Sequence, residues 1–347
     1  MRVDWTSNTP GGARGSRHVL YNRRHGLAPR LPTQWPGPKG SVATAPLEQS
    51  WHFVHTEPPM THPLDHLVLP TRDLETARAR LGALGFTVAP QGTHPFGTIN
   101  CCVYFGGGTF LEPLAIGDVD TAGQAADAGN VFVGRDRTFR TRNGDEGFSA
   151  VVFGTDDADA DHERYVAADI SAGQRLDFSR PFVDSSGKQD TASFRLAFAA
   201  APDMADAFTF ACERANVPKV DRSALQTHAN GVSALREVVG VSDDIRGKLR
   251  LLAEAADAAV DRATGASLEL PNARLSLIEP DAFERRFGLA AKSSPLRFAA
   301  IVFAASDVKG LARRLAEAGI DHHFSGASLI VPPALGQGAA FVFEESA

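Results

Sequence analysis

The segment LDHLVLP, Leu64 to Pro70, is apolar at nearly every position and predicts a short buried strand. RDLETARARLGALG follows, with Leu74, Ala77, Leu81 and Leu84 recurring at helical spacing on one face and Gly85 as the stop. The runs FTVAP, INCCVYF and GTFLEPLAI come next, separated by Gly and Pro turns, and predict three strands. The order is β-α-β-β-β.

The same grammar recurs three times in more worn form. FSAVVFGTDDADADHERYVAADI predicts a strand and a helix, and RLDFSRPFVD and ASFRLAFAA alternate as strands of a half-buried sheet do. VSALREVVGVSDDIRGKLRLLAEAADAA leads into SLELPN and RLSLIEP, and LRFAAIVFAASDVKGLARRLAEAGI leads into HHFSGASLIVPP and AAFVFEES. Such repetition predicts a symmetric assembly of sheets. The expected fold class is α+β: four β-α-β-β-β units pairing into two curved half-barrel sheets. Residues 61–215 are expected to form one domain of two units, and residues 216–347 a second, degenerate one. A unit's helix covers one face of its sheet, and two units side by side curl the other faces into a concave cleft suited to a small ligand.

Residues 1–59 are different. They are rich in Arg, Pro, Gly and Trp, almost free of acids before Glu48, and lack either periodicity. A disordered tail is expected there, or translation from a start too far upstream, since Met60 immediately precedes the first strand; an organellar leader is the functional reading of the same composition.

Over 347 residues the formal net charge is -6, which offers no basic footprint for nucleic acid or an anionic membrane. A small molecule is the expected partner. Three cysteines, Cys101, Cys102 and Cys212, supply neither a disulfide framework nor a CxxC metal pair, so a reducing, cytoplasmic setting is expected. No apolar run approaches the roughly 20 residues that would span a bilayer.

The chemistry concentrates in HPFGTINCCVYFGGGTFLEPLAI, where an apolar strand carries one carboxylate, Glu112. A buried carboxylate is costly unless it is paired or holds a cation. With His66 from the unit's first strand it supplies the mixed imidazole and carboxylate ligation that suits a divalent Zn, Fe, Ni or Mn ion. The competing reading makes Glu112 a solvated strand end and His66 a hydrogen-bonded core residue. His94, at the head of a Pro-Phe-Gly-Thr turn, is a second catalytic candidate beside Glu112, and Thr98 and Asn100 lie in the same turn. The Gly106–Gly108 run joins two strands with no helix after it, so it reads as a hairpin turn, not a phosphate cradle. The two adjacent cysteines read as small core residues.

The sequence resembles the vicinal oxygen chelate superfamily, and within it the glyoxalase-like domain proteins. LDHLVLPTRDLETARARLGALGFTV and THPFGTINCCVYFGGGTFLEPLAI carry the resemblance, with a fainter echo in HANGVSALREVVGVSDD. The resemblance implies paired β-α-β-β-β units and a divalent metal between facing strands, with the first-strand histidine on His66 and the last-strand acid on Glu112. A third ligand is expected from another unit. His228 is the best candidate, although it lies ahead of the usual first-strand position, which falls on Arg236; the alternative is a histidine that orders a Gly turn. Glu279 and Glu344, at last-strand ends of the third and fourth units, are expected to be surface or capping acids.

Together these features lead to a metal-dependent lyase, isomerase or dioxygenase acting on a small oxygenated molecule, with His66, His228 and Glu112 as the metal set. The other reading is a non-catalytic protein of the bleomycin-resistance type that sequesters a small compound without a metal. Either would work as a monomer or homodimer.

Overall fold

One local signal builds all four units: an apolar strand runs through a short turn into an aspartate followed by an apolar residue. Asp73, Asp157, Asp244 and Asp307 each cap a helix, their side chains accepting hydrogen bonds from the backbone N–H groups of Thr76, Ala160, Gly247 and Gly310. These bonds satisfy N–H groups that the helix itself leaves without partners.

The computed structural model describes residues 61–346 apart from 184–188, 219–220, 262 and 264. The expectations for residues 1–59 lie outside the described residues. The first unit contains β1 (Leu64–Pro70), α1 (Leu74–Ala83), β2 (Gln91–Thr93), β3 (Thr98–Cys101), β4 (Val103–Tyr104) and β5 (Phe110–Ile116). Two helices that the periodicity did not single out follow, α2 (Val119–Asp127) and α3 (Val131–Asn143). The second unit contains β6 (Ala150–Thr155), α4 (Ala158–Ala167), β7 (Leu176–Val183), β8 (Gln189–Ala199) and β9 (Phe208–Asn216). The third contains β10 (Val232–Val241), α5 (Ile245–Ala255), β11 (Ser267–Glu269) and β12 (Arg274–Ile278), followed by a further unforeseen helix, α6 (Pro280–Phe287). The fourth contains β13 (Arg297–Ala305), α7 (Val308–Glu317), β14 (His323–Ser325), β15 (Ser328–Val331) and β16 (Ala340–Glu345).

Units one and two share the first sheet, ordered β2-β3-β5-β1-β6-β9-β8-β7 with β4 beside β5, and units three and four share the second, ordered β11-β12-β10-β13-β16-β15-β14. In both sheets the first strands of the two units lie antiparallel at the centre. The first sheet curls until its edge strands approach each other: the Phe178 ring on β7 meets Phe96, just beyond β2, at 5.2 Å. Among the described residues no helix is long and apolar enough to cross a membrane.

The local differences from expectation have physical causes. FTVAP is not a strand, because its N–H groups go elsewhere: Phe86 to the Leu81 carbonyl, Thr87 to the His228 ring and Ala89 to the Cys102 carbonyl, while Pro90 has none to give. β2 therefore starts one residue later, at Gln91. INCCVYF breaks at Cys102 into β3 and β4.

Helices α1 and α4 lie on the outer face, where Leu81 and Tyr165 are buried in a hydrophobic cluster that draws on both sheets. A second cluster fills the concave face of the second sheet: Phe283 and Phe287 of α6 pack against Val239, Val241, Ala300, Val302, Ile330, Ala340 and Val342. The second half-barrel is plugged by its own helix. Leu81→Ala is expected to cost about 2–5 kcal/mol in denaturant unfolding, because Leu81 is fully buried under the sheet and its truncation leaves a cavity.

Candidate functional site

Parallel pairing of β1 with β5 sets His66 opposite Phe110 and Val68 opposite Glu112, so His66 and Glu112 occupy the concave face of the first sheet on neighbouring strands. His66 Nε2 stands 3.4 Å from Glu112 Oε2. His94 reaches the same carboxylate from the other side, with Nε2 3.7 Å from Oε1. Asn100 Nδ2 donates to Oε1 at 2.6 Å. Each imidazole is also held from behind: His66 Nδ1 by Asp65 Oδ1 at 2.6 Å and His94 Nδ1 by Thr98 Oγ1 at 2.8 Å. Asp65 in turn receives Arg214 on both oxygens, at 2.8 and 2.7 Å.

The turn that delivers His94 depends on Gly97, which has a φ of +86°, a region that favours glycine. A side chain there would also collide with the Ala122 N–H and the Asp118 carbonyl at the start of α2. Rings enclose the polar group. His66 stacks on Phe110 at 4.5 Å and His94 stacks on Phe96 at 5.1 Å, while Phe132 of α3 packs against His94, Phe96 and Phe210. His66, His94, Asn100 and Glu112 are all buried.

Burial on its own would push the Glu112 carboxyl up. The hydrogen bond and charge of His66, with His94 and Asn100, outweigh it and hold the group at about 2. Burial lowers His94 to about 4, with the positive charges of Arg180 and His66 adding to the effect, so its ring is neutral near pH 7. Burial also opposes a charged His66, but Asp65 and Glu112 overcome it and raise its pKa above the ordinary histidine value. The result is an ionised carboxylate between one neutral imidazole and one whose protonated form its acidic neighbours favour.

The repeats show what is special about this pair. Counting back equally from each helix-capping aspartate, the position of His66 is taken by Ala150, Glu237 and Ala300 in the later units. The position of Glu112, fixed by its strand partner, is taken by Phe210, Ser276 and Val342. At these two matching positions the second unit thus contributes only apolar groups, Ala150 and Phe210. In the second sheet Glu237 is neutralised by Arg286 of α6, which donates to both its oxygens at 3.0 and 2.6 Å.

Several expectations change. His228 is not available as a third ligand: its Nδ1 accepts from the Thr87 N–H and its Nε2 bonds the Tyr104 carbonyl, each at 3.0 Å, so both nitrogens tie chain segments together. The third unit's counterpart of His66 is Glu237, not Arg236, whose guanidinium donates to the Glu345 carbonyl. Glu279, by contrast, is an exposed residue at the start of α6, in keeping with a surface or capping acid, and Glu344 accepts from Ser328 at 3.0 Å. Asp65 and Arg214 went unnoticed in the sequence, although a second acid inside the apolar LDHLVLP run was a visible signal.

The donor chemistry can be tested against a divalent cation. Two donors about 2.0–2.2 Å from one ion stand about 3–3.5 Å apart, so the His66–Glu112 separation of 3.4 Å fits, and an Nδ1 anchored by a carboxylate is the usual backing of a metal-bound imidazole. The His94 distance is longer and falls on the other oxygen. Among the described residues no three His, Cys, Asp or Glu side chains are gathered closely enough to hold an ion as they stand.

Two expectations follow from the electrostatics and packing. In chelator-treated protein, His94 contributes stability above pH 6.5 that is lost as pH falls towards 4, because its folded pKa lies below its ordinary one; Glu112 contributes stability above about 4.5 that is lost towards pH 2. His94→Gln should therefore remove the upper part of the acid-side decline in urea-unfolding free energy, and an unchanged profile would contradict the assignment. Gly92 has no side chain where a Cβ would collide with Asn100 Oδ1 and Arg180 Nη1. Gly92→Ala should pull Asn100 off the carboxylate and raise the Glu112 midpoint above about 2, read by carboxyl-carbon NMR titration.

A family model for the glyoxalase-like domain matches residues 64–256, from β1 through α5. No curated protein matches the sequence significantly. Among solved structures, a hypothetical protein from Staphylococcus aureus aligns with a TM-score of 0.55 at 13% identity, covering 82% of this chain and 98% of that one. A triple mutant of 4-hydroxymandelate synthase from Streptomyces coelicolor aligns with a TM-score of 0.53 at 14% identity, covering 82% and 93%. At such identities these two likenesses speak for the fold. The match over more than half the chain, on the fold and repeat order described above, places this protein in the glyoxalase-like domain family of the vicinal oxygen chelate superfamily.

Proposed function

We propose that the first sheet is the working half of a metal-dependent enzyme of lyase, isomerase or dioxygenase type that acts on a small oxygenated molecule. One observation carries the reading: two imidazoles present their Nε2 atoms to the two oxygens of a single buried carboxylate, each fixed from behind through Nδ1. His66 and Glu112 would hold the cation, with His94 as the third donor, giving the two-histidine, one-carboxylate set that suits Fe and related divalent ions. A cation held there would supply positive charge to oxygen atoms of the substrate.

The chain's own residues do the rest. Asp65, anchored by Arg214, fixes the His66 tautomer and ring orientation. A ligating imidazole must be neutral, so His66 gives up the proton that Asp65 and Glu112 stabilise, and cation affinity is expected to rise with pH. Asn100 orients Glu112, and the surrounding phenylalanines exclude water. Each sheet is assembled from two units of one chain, which supports a cleft completed within a single copy.

The second reading, a metal-free binding protein, is favoured by the apolar Ala150 and Phe210 at the second unit's matching positions. Elemental analysis of protein purified without chelator separates the two. The enzyme reading expects near-stoichiometric divalent ion that Glu112→Gln abolishes with the circular dichroism spectrum intact. Metal content unchanged by that substitution, or absent from the parent, sinks it.

A further inference from the structure

At the seam where the first sheet nearly closes, β7 carries Phe178 and Arg180 two residues apart, and therefore on one face of the strand. Phe178 closes the seam against His94 at 5.6 Å and Phe96 at 5.2 Å, and stacks on Phe194 at 5.0 Å. The Arg180 guanidinium lies over the Phe194 ring at 5.7 Å. It reaches across to β2 at the opposite edge, where the missing side chain of Gly92 makes room for Arg180 Nη1 and Asn100 Oδ1 together. Asn100 spends its amide on Glu112, so Arg180 stands one residue away from the carboxylate at the centre of the site.

Among the described residues the charge of Arg180 has no matching acid. Its neighbours in the same sheet have acids: Arg214 pairs with Asp65, Arg175 with Asp159 and Asp177, and Arg195 with Glu213. Among the described residues no carboxylate pairs with Arg180. A half-buried guanidinium lying over an aromatic ring, with no anion beside it among the described residues, is a ready partner for a carboxylate, which it can grip with two parallel hydrogen bonds.

We infer that Arg180 selects the substrate: the site takes an organic acid with an apolar, ring-sized body, its carboxylate on Arg180 and its body among Phe178, Phe194, Phe96 and Phe132. The inference rests on the first sheet being the working site, and it assigns to that site a substrate class. The oxygen that reacts would then lie on the Glu112 side of the molecule.

The test is thermal-shift and calorimetric titration with phenylacetate and 3-phenylpropionate against their neutral amides, with metal content measured on the same preparations. The acids are expected to bind at least about tenfold more tightly than the amides, the amount expected for losing a charge-assisted hydrogen bond. Arg180→Gln should abolish that preference at unchanged metal content, and Arg180→Lys should retain part of it. Equal binding of acid and amide, no binding of either acid, or an undiminished preference in a folded Arg180→Gln protein overturns the assignment. A parent that purifies without metal, yet still discriminates acid from amide through Arg180, overturns the metal reading and leaves this one standing.

Discussion

An ionised carboxylate inside an apolar sheet is the constraint around which this structure is organised. Glu112 is only 5% exposed, and burying such a charge without compensation costs far more than a folded domain can spare. Compensation comes from three sides. His66 brings an imidazole whose protonation Asp65 favours, Asp65 itself being anchored by Arg214; Asn100 brings a donor; His94 brings a neutral ring with a nitrogen facing the second oxygen. Breaking one side would leave the remaining buried polar groups exposed to the full desolvation cost, so the cluster behaves as a unit.

Repetition makes the asymmetry of the molecule readable. Four units share a strand, a capping aspartate and a helix, yet only the first places a histidine and a glutamate on its facing strands. The third unit retains a polar pair, Glu237 and Ser276, but there a helix inserted after the unit's last strand supplies Arg286 and two phenylalanines, and the concave face is filled. In the first sheet the insertion at the same point in the unit order, α2 and α3, brings Phe132 up to His94 and Phe96 and leaves the carboxylate with its imidazoles. The same location in the repeat therefore serves as a wall in one half and a plug in the other.

The outline of the fold was legible because the signals are local. Helix α1, with its apolar face of Leu74, Ala77 and Leu81 and its glycine stop, lies where the periodicity put it. So do β1, β5 and the strand–helix openings of all four units. The inserted helices escaped notice because they stand outside the repeat. FTVAP misled because β propensity says nothing of where N–H groups find acceptors, and here the His228 ring and the Cys102 carbonyl take them.

For the site, the amino-acid sequence by itself determined that a histidine and an acid lie on two apolar strands of one unit, since strand periodicity is a property of neighbouring residues. It could not determine which further groups converge on them. His94 stands at the carboxylate and His228 does not, although both precede a glycine turn, because the turn at Gly97 is folded over the cleft while His228 is spent bridging Thr87 and Tyr104. Arg180 comes within reach only when the sheet curls far enough to bring β7 beside β2. Such encounters depend on long-range closure of the sheet, and curvature of that kind is summed over strands widely separated along the chain.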